Sequence, residues 1–151
     1  MNNTPNEREL NIWGTYLAAT VRIMERLDGE LQQRSHMSIT DYEILDTLTR
    51  ISDKRIRMSE LATKVLVSRS RLTYRVDRLV KIGYLEREEC TDDRRGLWAI
   101  LTEKGEHAHT EAKPGHEQDI QNWFFDHLNE TELVVLERAM TSINDKLESN
   151  R

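Results

Sequence analysis

The stretch at residues 68–83, SRSRLTYRVDRLVKIG, decides the fold of this chain. Leu72, Val76 and Leu79 are spaced at i, i+4 and i+7, which places them on one face of a helix. Gly83 stands where the end of a helix favours a positive φ. The other side carries hydroxyls and cations, namely Ser70, Tyr74, Arg78 and Lys81, with Arg71 on its flank. Such groups reach phosphates and base edges in a DNA major groove, although an ordinary amphipathic helix with a solvated basic face has the same pattern.

The segments on either side of this helix predict a winged helix-turn-helix. Upstream, residues 58–65 are expected to form a short helix that is joined to residues 68–83 by a tight connection, which makes a helix-turn-helix. Downstream, the segments 84–90 and 97–101 are expected to be short strands around a polar turn. A hairpin after a recognition helix is a wing, and this one carries Arg94 and Arg95 at its tip.

Charge is divided unevenly along the chain. The 151 residues include 22 Lys and Arg and 27 Asp and Glu, a formal net charge of -5, which argues against a general nucleic-acid binder. Between Lys54 and Arg95, however, there are 12 Lys and Arg against 7 Asp and Glu, which leaves 10 and 20 for the remainder. The basic segment coincides with the predicted helix-turn-helix and wing. The acidic flanks are expected to oppose indiscriminate binding to DNA.

Long amphipathic helices are predicted near both ends of the chain, over residues 7–31 and within 104–149. Their apolar residues recur at intervals of three and four: Leu10, Trp13, Leu17, Met24, Leu27 and Leu31 in the first, and Leu133, Leu136, Met140, Ile143 and Leu147 in the second. Pro114 is expected to kink or restart the C-terminal helical region. Helices in these places are suited to forming a dimer interface. The alternative is that they cover the central module within one subunit.

The predicted fold class is therefore mainly α with a small β-hairpin wing, in a single domain over residues 1–151. A winged helix-turn-helix lobe at 38–101 lies between the two dimerisation segments. Within the lobe, Thr40 and Glu43 have the spacing of a capping box and predict the start of a helix. Residues 53–55 are expected to form a charged loop.

Cysteine content and hydropathy indicate the compartment. The single cysteine excludes an intrachain disulfide, which fits a reducing environment. Residues 1–9 are polar and lack the apolar region of a secretory signal. No stretch approaches the ~18 apolar residues of a membrane span. We expect a cytoplasmic protein without a membrane partner.

Two further patterns point to a known family. The first is Leu72-Thr73 with Val76-Asp77-Arg78-Leu79, followed by Gly83-Tyr84-Leu85 and Arg87. The second is Asp93-x-Arg95 followed by Leu101-Thr102-x-x-Gly105. Together they resemble the recognition helix, the following strand and the wing of the MarR family, over nearly the whole chain. Two residues depart from the pattern: Tyr74 stands where many members have arginine, so that the base preference cannot be carried over, and Ala99 replaces a larger aliphatic residue.

The resemblance implies a homodimer that binds pseudo-palindromic double-stranded DNA, usually as a repressor. It also implies that a small molecule, often an aromatic acid, releases the repressor from DNA. It also implies that Arg95 enters the minor groove, where a narrow groove concentrates negative potential, and that Asp93 holds it in place. No cofactor is expected. The predicted DNA-binding residues are Ser68, Arg69, Ser70, Arg71, Thr73, Tyr74, Arg78, Asp93, Arg94 and Arg95.

A crevice for a small-molecule effector is a further prediction. Trp13 and Tyr16 on the first helix, with His36 and Met37 before the second, are candidates to border it. The alternative is that Trp13 belongs to the core and that Tyr16 is an ordinary surface residue. The residues identify neither the effector nor the operator.

Two other interpretations of the sequence remain open. The first is a redox-responsive regulator that uses Cys90, at the edge of the wing. The neighbouring carboxylates Glu86, Glu88 and Glu89 oppose a reactive thiolate there. A winged helix that serves only as a protein-interaction adaptor is another alternative, and the arginines at 69, 71, 94 and 95 argue against it.

Metal binding and catalysis are not expected. The three histidines of residues 107–116 lack the i, i+4 spacing that holds a metal on a helix. The sequence also lacks a phosphate-binding Gly-rich loop and a nucleophile elbow. The protein is therefore not expected to be an enzyme.

Overall fold

A computed structural model describes residues 4–65, 67–91 and 96–149. The fold is mainly helical with a small antiparallel sheet, which confirms the predicted fold class. The elements are α1 (Glu7–Ser35), α2 (Ile39–Thr49), β1 (Arg55–Arg57), α3 (Met58–Lys64), α4 (Arg69–Lys81), β2 (Leu85–Glu89), β3 (Leu97–Leu101), α5 (Glu103–Trp123), a 3-10 turn (Phe125–His127) and α6 (Glu130–Glu148). Among the described residues, no helix combines the length and apolar character that crossing a membrane requires.

The chain divides into two compact units. The N-terminal unit runs to His116 and contains α1 to α4, the sheet and most of α5. The C-terminal unit begins at Glu117 and contains the end of α5, the 3-10 turn and α6.

The hydrophobic core of the N-terminal unit forms around α4. The predicted inner face of this helix is buried, since Leu72, Val76 and Leu79 are each at most 1% exposed. They join a core that also includes Leu31, Ile44, Leu45, Leu48, Ile56, Leu61, Leu85 and Ala99. Burying one such aliphatic side chain contributes about 1.5–3 kcal/mol. The apolar face of α4 therefore fixes which face of the helix remains outside.

The end of α4 depends on Gly83. Its φ is 81°, as the sequence predicts. The N–H of Gly83 donates to the carbonyl of Val80 (3.0 Å), and the N–H of Tyr84 donates to that of Leu79 (2.8 Å). These two bonds form a Schellman motif, which satisfies the last carbonyls of the helix and turns the chain into β2.

The sheet has the strand order β1-β3-β2 and is antiparallel throughout. Both predicted wing strands are present. The expectation that residues 53–55 form a charged loop is wrong at Arg55, because Arg55–Arg57 is a strand that pairs with β3. This strand has one inward side chain, Ile56, and a single inward residue gives no alternating pattern that the sequence could reveal.

Two other local predictions are corrected. The capping box of α2 is formed by Ser38 and Asp41 and not by Thr40 and Glu43. Ser38 has the extended backbone that an N-cap needs, whereas Thr40 already lies inside the helix. Pro114 does not restart the helix, since α5 is continuous through it. Packing of α5 against the core, where Ala112 is buried two residues before the proline, offsets the loss of one backbone hydrogen bond.

Candidate DNA-binding surface

The N-terminal end of α4 presents hydroxyls and cations to solvent. Ser68 caps the helix, and its Oγ accepts from the N–H of Arg71 (3.3 Å) and lies 3.3 Å from the Oγ of Ser70. The predicted contact residues of this segment are all exposed: Ser68, Arg69, Ser70, Arg71, Thr73 and Tyr74. Because the opposite face of α4 is in the core, these side chains form one outward surface that can enter a major groove.

Tyr74 is the most exposed aromatic residue of this surface. Its side chain is 66% exposed in the middle of a helix whose other face is fully buried. Arg75 lies beside it, with its guanidinium carbon 5.8 Å from the centre of the ring. A phenol ring with a free hydroxyl offers both an apolar surface and a hydrogen-bonding group, as contacts to base edges require.

Arg78 is placed differently from the prediction. We expected its guanidinium on the outer face, but Nη1 donates to Oδ2 of Asp41 (2.6 Å) and Nη2 to the carbonyl of His36 (2.9 Å). Asp41 is fully buried, and a buried carboxylate needs a cationic partner. The long side chain of Arg78 therefore turns back toward α2, which corrects its predicted outward direction, whereas its contact with DNA stays a prediction.

The tip of the wing lies outside the described residues. The roles predicted for Asp93, Arg94 and Arg95 therefore stay predictions. At the base of the hairpin, the N–H of Cys90 donates to the carbonyl of Gly96 (2.9 Å). Cys90 is only 4% exposed, which leaves little access for an oxidant.

A pair of stacked arginines lies on the unpredicted strand β1. The guanidinium carbon of Arg55 is 4.4 Å from the centre of a Trp98 ring, and that of Arg57 is 5.4 Å away. Arg55 also approaches Glu88, at 3.7 Å. Such cation–π contacts hold an arginine in place while its N–H groups remain available. The sequence could not indicate this cluster, because it depends on the register of β1 against β3.

Arg57 lies at the junction of β1 and α3. It directly precedes Met58, the first residue of α3. Met58 and Ser59 share a small cleft, of about 140 Å³, with Arg69 and Thr73 of α4. Arg57 is therefore the neighbour in sequence of a residue that lines this cleft, whereas Arg55 lies two residues further from α3.

The predicted effector residues do not meet within one chain. Trp13 and Tyr16 stack with ring centres 5.9 Å apart near the start of α1, whereas His36 and Met37 follow its end. At about 1.5 Å per helical residue, the two pairs are roughly 35 Å apart along the axis. The alternative prediction, that Trp13 belongs to the core, is wrong as well, because its side chain is 57% exposed. The helix predicted over residues 7–31 already implies this separation, because one pair lies near its start and the other beyond its end.

His36 and Met37 do line a cleft in the N-terminal unit. The cleft has a volume of about 310 Å³, and its other lining residues are Arg34, Ser35, Tyr84, Ala108, Glu111, Ala112 and Gly115. A guanidinium N–H of Arg34 donates to the carbonyl of Gly115 at 3.2 Å. The volume is at the lower end of the range of about 300–1,000 Å³ for small-molecule sites.

Two of the histidines belong to the interior between α2 and α5. The ring centres of His109 and His116 lie 5.0 and 4.3 Å from that of Tyr42. Nε2 of His109 is 3.0 Å from Oδ1 of Asp46. Within the described part of the chain, no group of three or more metal-ligating side chains is assembled. Nearby, burial raises the pKa of Glu43, and the charge of Asp46 raises it further.

The arrangement defines a class of protein. A helix-turn-helix with an exposed second helix, followed by a two-stranded hairpin, is a winged helix-turn-helix DNA-binding protein. A family model described as the MarR family matches residues 37–97. The chain is similar to AbsC, a MarR family transcriptional regulator from Streptomyces coelicolor, with 32% identity and a TM-score of 0.88 over 98% of this chain and 99% of that one.

Two other proteins to which the chain is similar are also transcription regulators. Sco3205 from the same organism, a MarR family regulator solved in complex with DNA, has 32% identity and a TM-score of 0.90 over 96% of this chain and 91% of that one. The transcriptional repressor MprA of Escherichia coli is 32% identical over 109 residues, which are 72% of this chain and 61% of MprA. The chain belongs to the MarR family of DNA-binding transcription regulators. This family consists of regulators and not of enzymes, and its members are typically homodimers that respond to ligands.

Proposed function

We propose that this protein is a homodimeric repressor that binds a pseudo-palindromic operator. The observation that carries the proposal is the division of α4 into a buried apolar face and an exposed start rich in hydroxyls and cations. Each subunit inserts this start of α4 into one major groove. The similar regulator Sco3205 was solved in complex with DNA, which supports DNA binding by this chain.

The proposed interface has three parts. Base readout comes from Ser68, Arg69, Ser70, Arg71, Thr73 and Tyr74. The wing contributes Arg94 and Arg95, with Arg95 in the minor groove and Asp93 as the group that orients it. To these predicted residues we add Arg57, which is held against Trp98 at the start of α3 and is suited to contact a phosphate.

The dimer is proposed to form through apolar faces that the single chain leaves in solvent. On α1, the residues Leu10, Trp13, Leu17, Val21 and Met24 are each at least 40% exposed. At about 100° per residue they lie on one side of the helix. On α6, Val134, Val135, Ile143 and Leu147 are more than half exposed. We assign dimerisation to residues 7–31 and 104–149, and DNA binding to the lobe at 38–101.

The response to a small molecule is assigned to the cleft beside His36 and Met37. A ligand there can release the operator only if it binds the free conformation more tightly than the DNA-bound one. The cleft is lined by the cation of Arg34 and the carboxylate of Glu111, and Arg34 is the group that would pair with the aromatic acid implied by the family resemblance. The stacked Trp13 and Tyr16 are assigned to the dimer face instead.

Selection from a randomised pool of DNA duplexes tests the proposal. We expect the enriched sequences to contain an inverted repeat whose half-sites are about one helical turn, roughly 34–36 Å, apart. A variant with Arg69, Arg71 and Tyr74 all replaced by alanine is the control, and it is expected to enrich no motif. If the unmodified protein enriches no motif either, or retains no DNA, then the proposed function is wrong.

A further inference from the structure

We propose that Asp41 and Arg78 are positioning residues, which hold the recognition helix at its working place without touching DNA. The inference rests on the proposed DNA-binding function and goes beyond it. It assigns a role to the ion pair between the buried carboxylate of Asp41 and the partly exposed side chain of Arg78, which turns from the outer face of α4 toward α2.

The carboxylate of Asp41 is the centre of this arrangement. Its side chain is fully buried on α2. Oδ2 accepts from the backbone N–H of Ser38 (3.0 Å) and from Nη1 of Arg78 (2.6 Å), and Nη1 of Arg75 lies 3.7 Å away. Both arginines belong to α4. The recognition helix therefore supplies two cations to one buried anion on its neighbour.

Arg78 extends the link to a third segment. Its Nη2 donates to the carbonyl of His36 (2.9 Å), the residue that ends α1 with a left-handed backbone, φ 53°. A planar guanidinium can hold two acceptors in a fixed geometry, which a single ammonium cannot. One side chain thus ties α4 to the start of α2 and to the end of α1.

The energetics favour a fixed geometry. Removing a charge from water is costly, and the loss is recovered only when partners stay close and well aligned. Within the described residues, Oδ1 of Asp41 has no hydrogen-bond partner, so that the contacts of this carboxylate with Arg75 and Arg78 are made through Oδ2. A shift of α4 along α2 would lengthen these contacts. The ion pair therefore penalises positions of α4 other than the one observed.

The rival explanation is a direct contact between Arg78 and a phosphate, as the sequence pattern predicts. The two explanations differ in their dependence on salt. A lost phosphate contact lowers the slope of log affinity against log salt by about 0.9. A lost positioning contact lowers affinity at every salt concentration and leaves the number of phosphate contacts, and hence the slope, unchanged.

The experiment compares Asp41→Asn, Arg78→Gln and the double variant in the full chain, with a duplex carrying the selected operator. Each single variant is expected to bind about 5–150-fold more weakly, the usual range for coupling between sites, with the slope of the unmodified protein. The double variant is expected to bind no more weakly than the weaker single variant, because both changes break the same link. Arg71→Gln is the matched control on the exposed side of α4, and its slope is expected to fall.

Circular dichroism and thermal unfolding establish that each variant is folded. If Asp41→Asn does not fold, Arg78→Lys takes its place, since lysine keeps the charge beside Asp41 but cannot bridge to His36 as well. It too is expected to lose affinity at constant slope. A lower slope for Arg78→Gln, additive losses in the double variant, or unchanged affinity in the folded variants would overturn the inference. Failure of the unmodified protein to bind the operator would instead overturn the proposed function.

Discussion

An exposed aromatic ring in the middle of a recognition helix needs a partner that is absent from the free chain. Tyr74 is such a ring, and its neighbours at the start of α4 are serines and arginines that contact phosphates as readily as bases. Of the exposed residues of α4, Tyr74 is therefore the one that we expect to distinguish one operator from another.

The first prediction concerns this specificity. Tyr74→Ala is expected to change the preference among operator variants by about 1–3 kcal/mol at the affected base pair. Competition binding against a set of duplexes with single base-pair changes measures the effect. Tyr74→Phe, the control, separates the contribution of the ring from that of the hydroxyl. Equal weakening toward all duplexes in the alanine variant would contradict the assignment.

The second prediction uses the two arginines stacked on Trp98. Arg57→Gln is expected to weaken binding to all duplexes alike and to lower the salt slope by about 0.9, because one phosphate contact is lost. Arg55→Gln is the matched control, since Arg55 stacks on the same ring but is further from α3. Fluorescence anisotropy between low and moderate salt gives both slopes. Equal slopes for the two variants would remove Arg57 from the proposed interface.

The third prediction concerns pH and Glu43. Its pKa is raised in the folded state, chiefly by burial and further by Asp46. The neutral carboxyl of Glu43 contributes stability that is fully present below its pKa in the unfolded chain. This stability is lost as the pH rises through its pKa in the folded protein. Glu43→Gln is therefore expected to stabilise the protein at about pH 7 relative to the unmodified chain, and much less at about pH 3, where both forms are neutral. Urea unfolding at the two pH values measures the free energy of unfolding of both proteins. The same difference between them at both pH values would contradict the prediction.

At the scale of secondary-structure elements, the fourth prediction concerns the exposed apolar face of α1. Glutamates at Leu17 and Val21 are expected to convert the proposed dimer into monomers, because charges would replace apolar contacts. Ala19 is exposed on the opposite side of the same helix, so that Ala19→Glu is the control and should remain a dimer. Light scattering measures the mass, and circular dichroism confirms the helix. A double variant that stays dimeric would show that this face of α1 does not form the dimer interface.

The α6 helix is less suited to such a test. Leu136 and Met140 lie partly buried beside Phe124 and Phe125 in a groove of about 390 Å³ within the C-terminal unit. Charges at these two positions would disturb the unit itself as well as any dimer contact. The more exposed Ile143 and Leu147 avoid this difficulty.

Local patterns explain which elements could be predicted. The inner face of α4 follows from the spacing of three aliphatic residues, and its end follows from one glycine with positive φ. The strand β1 could not be found in this way, because its single inward residue, Ile56, gives no period. The direction of Arg78 was also beyond local reasoning, since it depends on a carboxylate 37 residues earlier in the chain.

At the scale of the whole molecule, the uneven charge complements the proposed mode of binding. In the proposed mode of binding, the basic segment between Lys54 and Arg95 faces the phosphates, and the acidic remainder of the chain disfavours contact with DNA. In the proposed dimer, specificity depends on two recognition helices acting together. A single half-site offers only one of the two contacts and should be bound far more weakly.

The fifth prediction follows from that requirement. The variant with glutamates at Leu17 and Val21 is expected to bind the full operator no more tightly than the unmodified protein binds a duplex with one half-site. Ala19→Glu should retain the full affinity. Gel-shift titrations with both duplexes provide the comparison. Undiminished operator affinity in a variant shown to be monomeric would mean that one subunit suffices.

The place of β1 at the edge of the sheet has a consequence for solubility. An edge strand presents unpaired backbone groups, which another chain can extend into an intermolecular sheet unless the strand is short or charged. With three residues, two of them arginines on the outer side, β1 is protected in both ways. Arg55 and Arg57, which both lie against Trp98, thereby also oppose aggregation of the folded protein through its sheet.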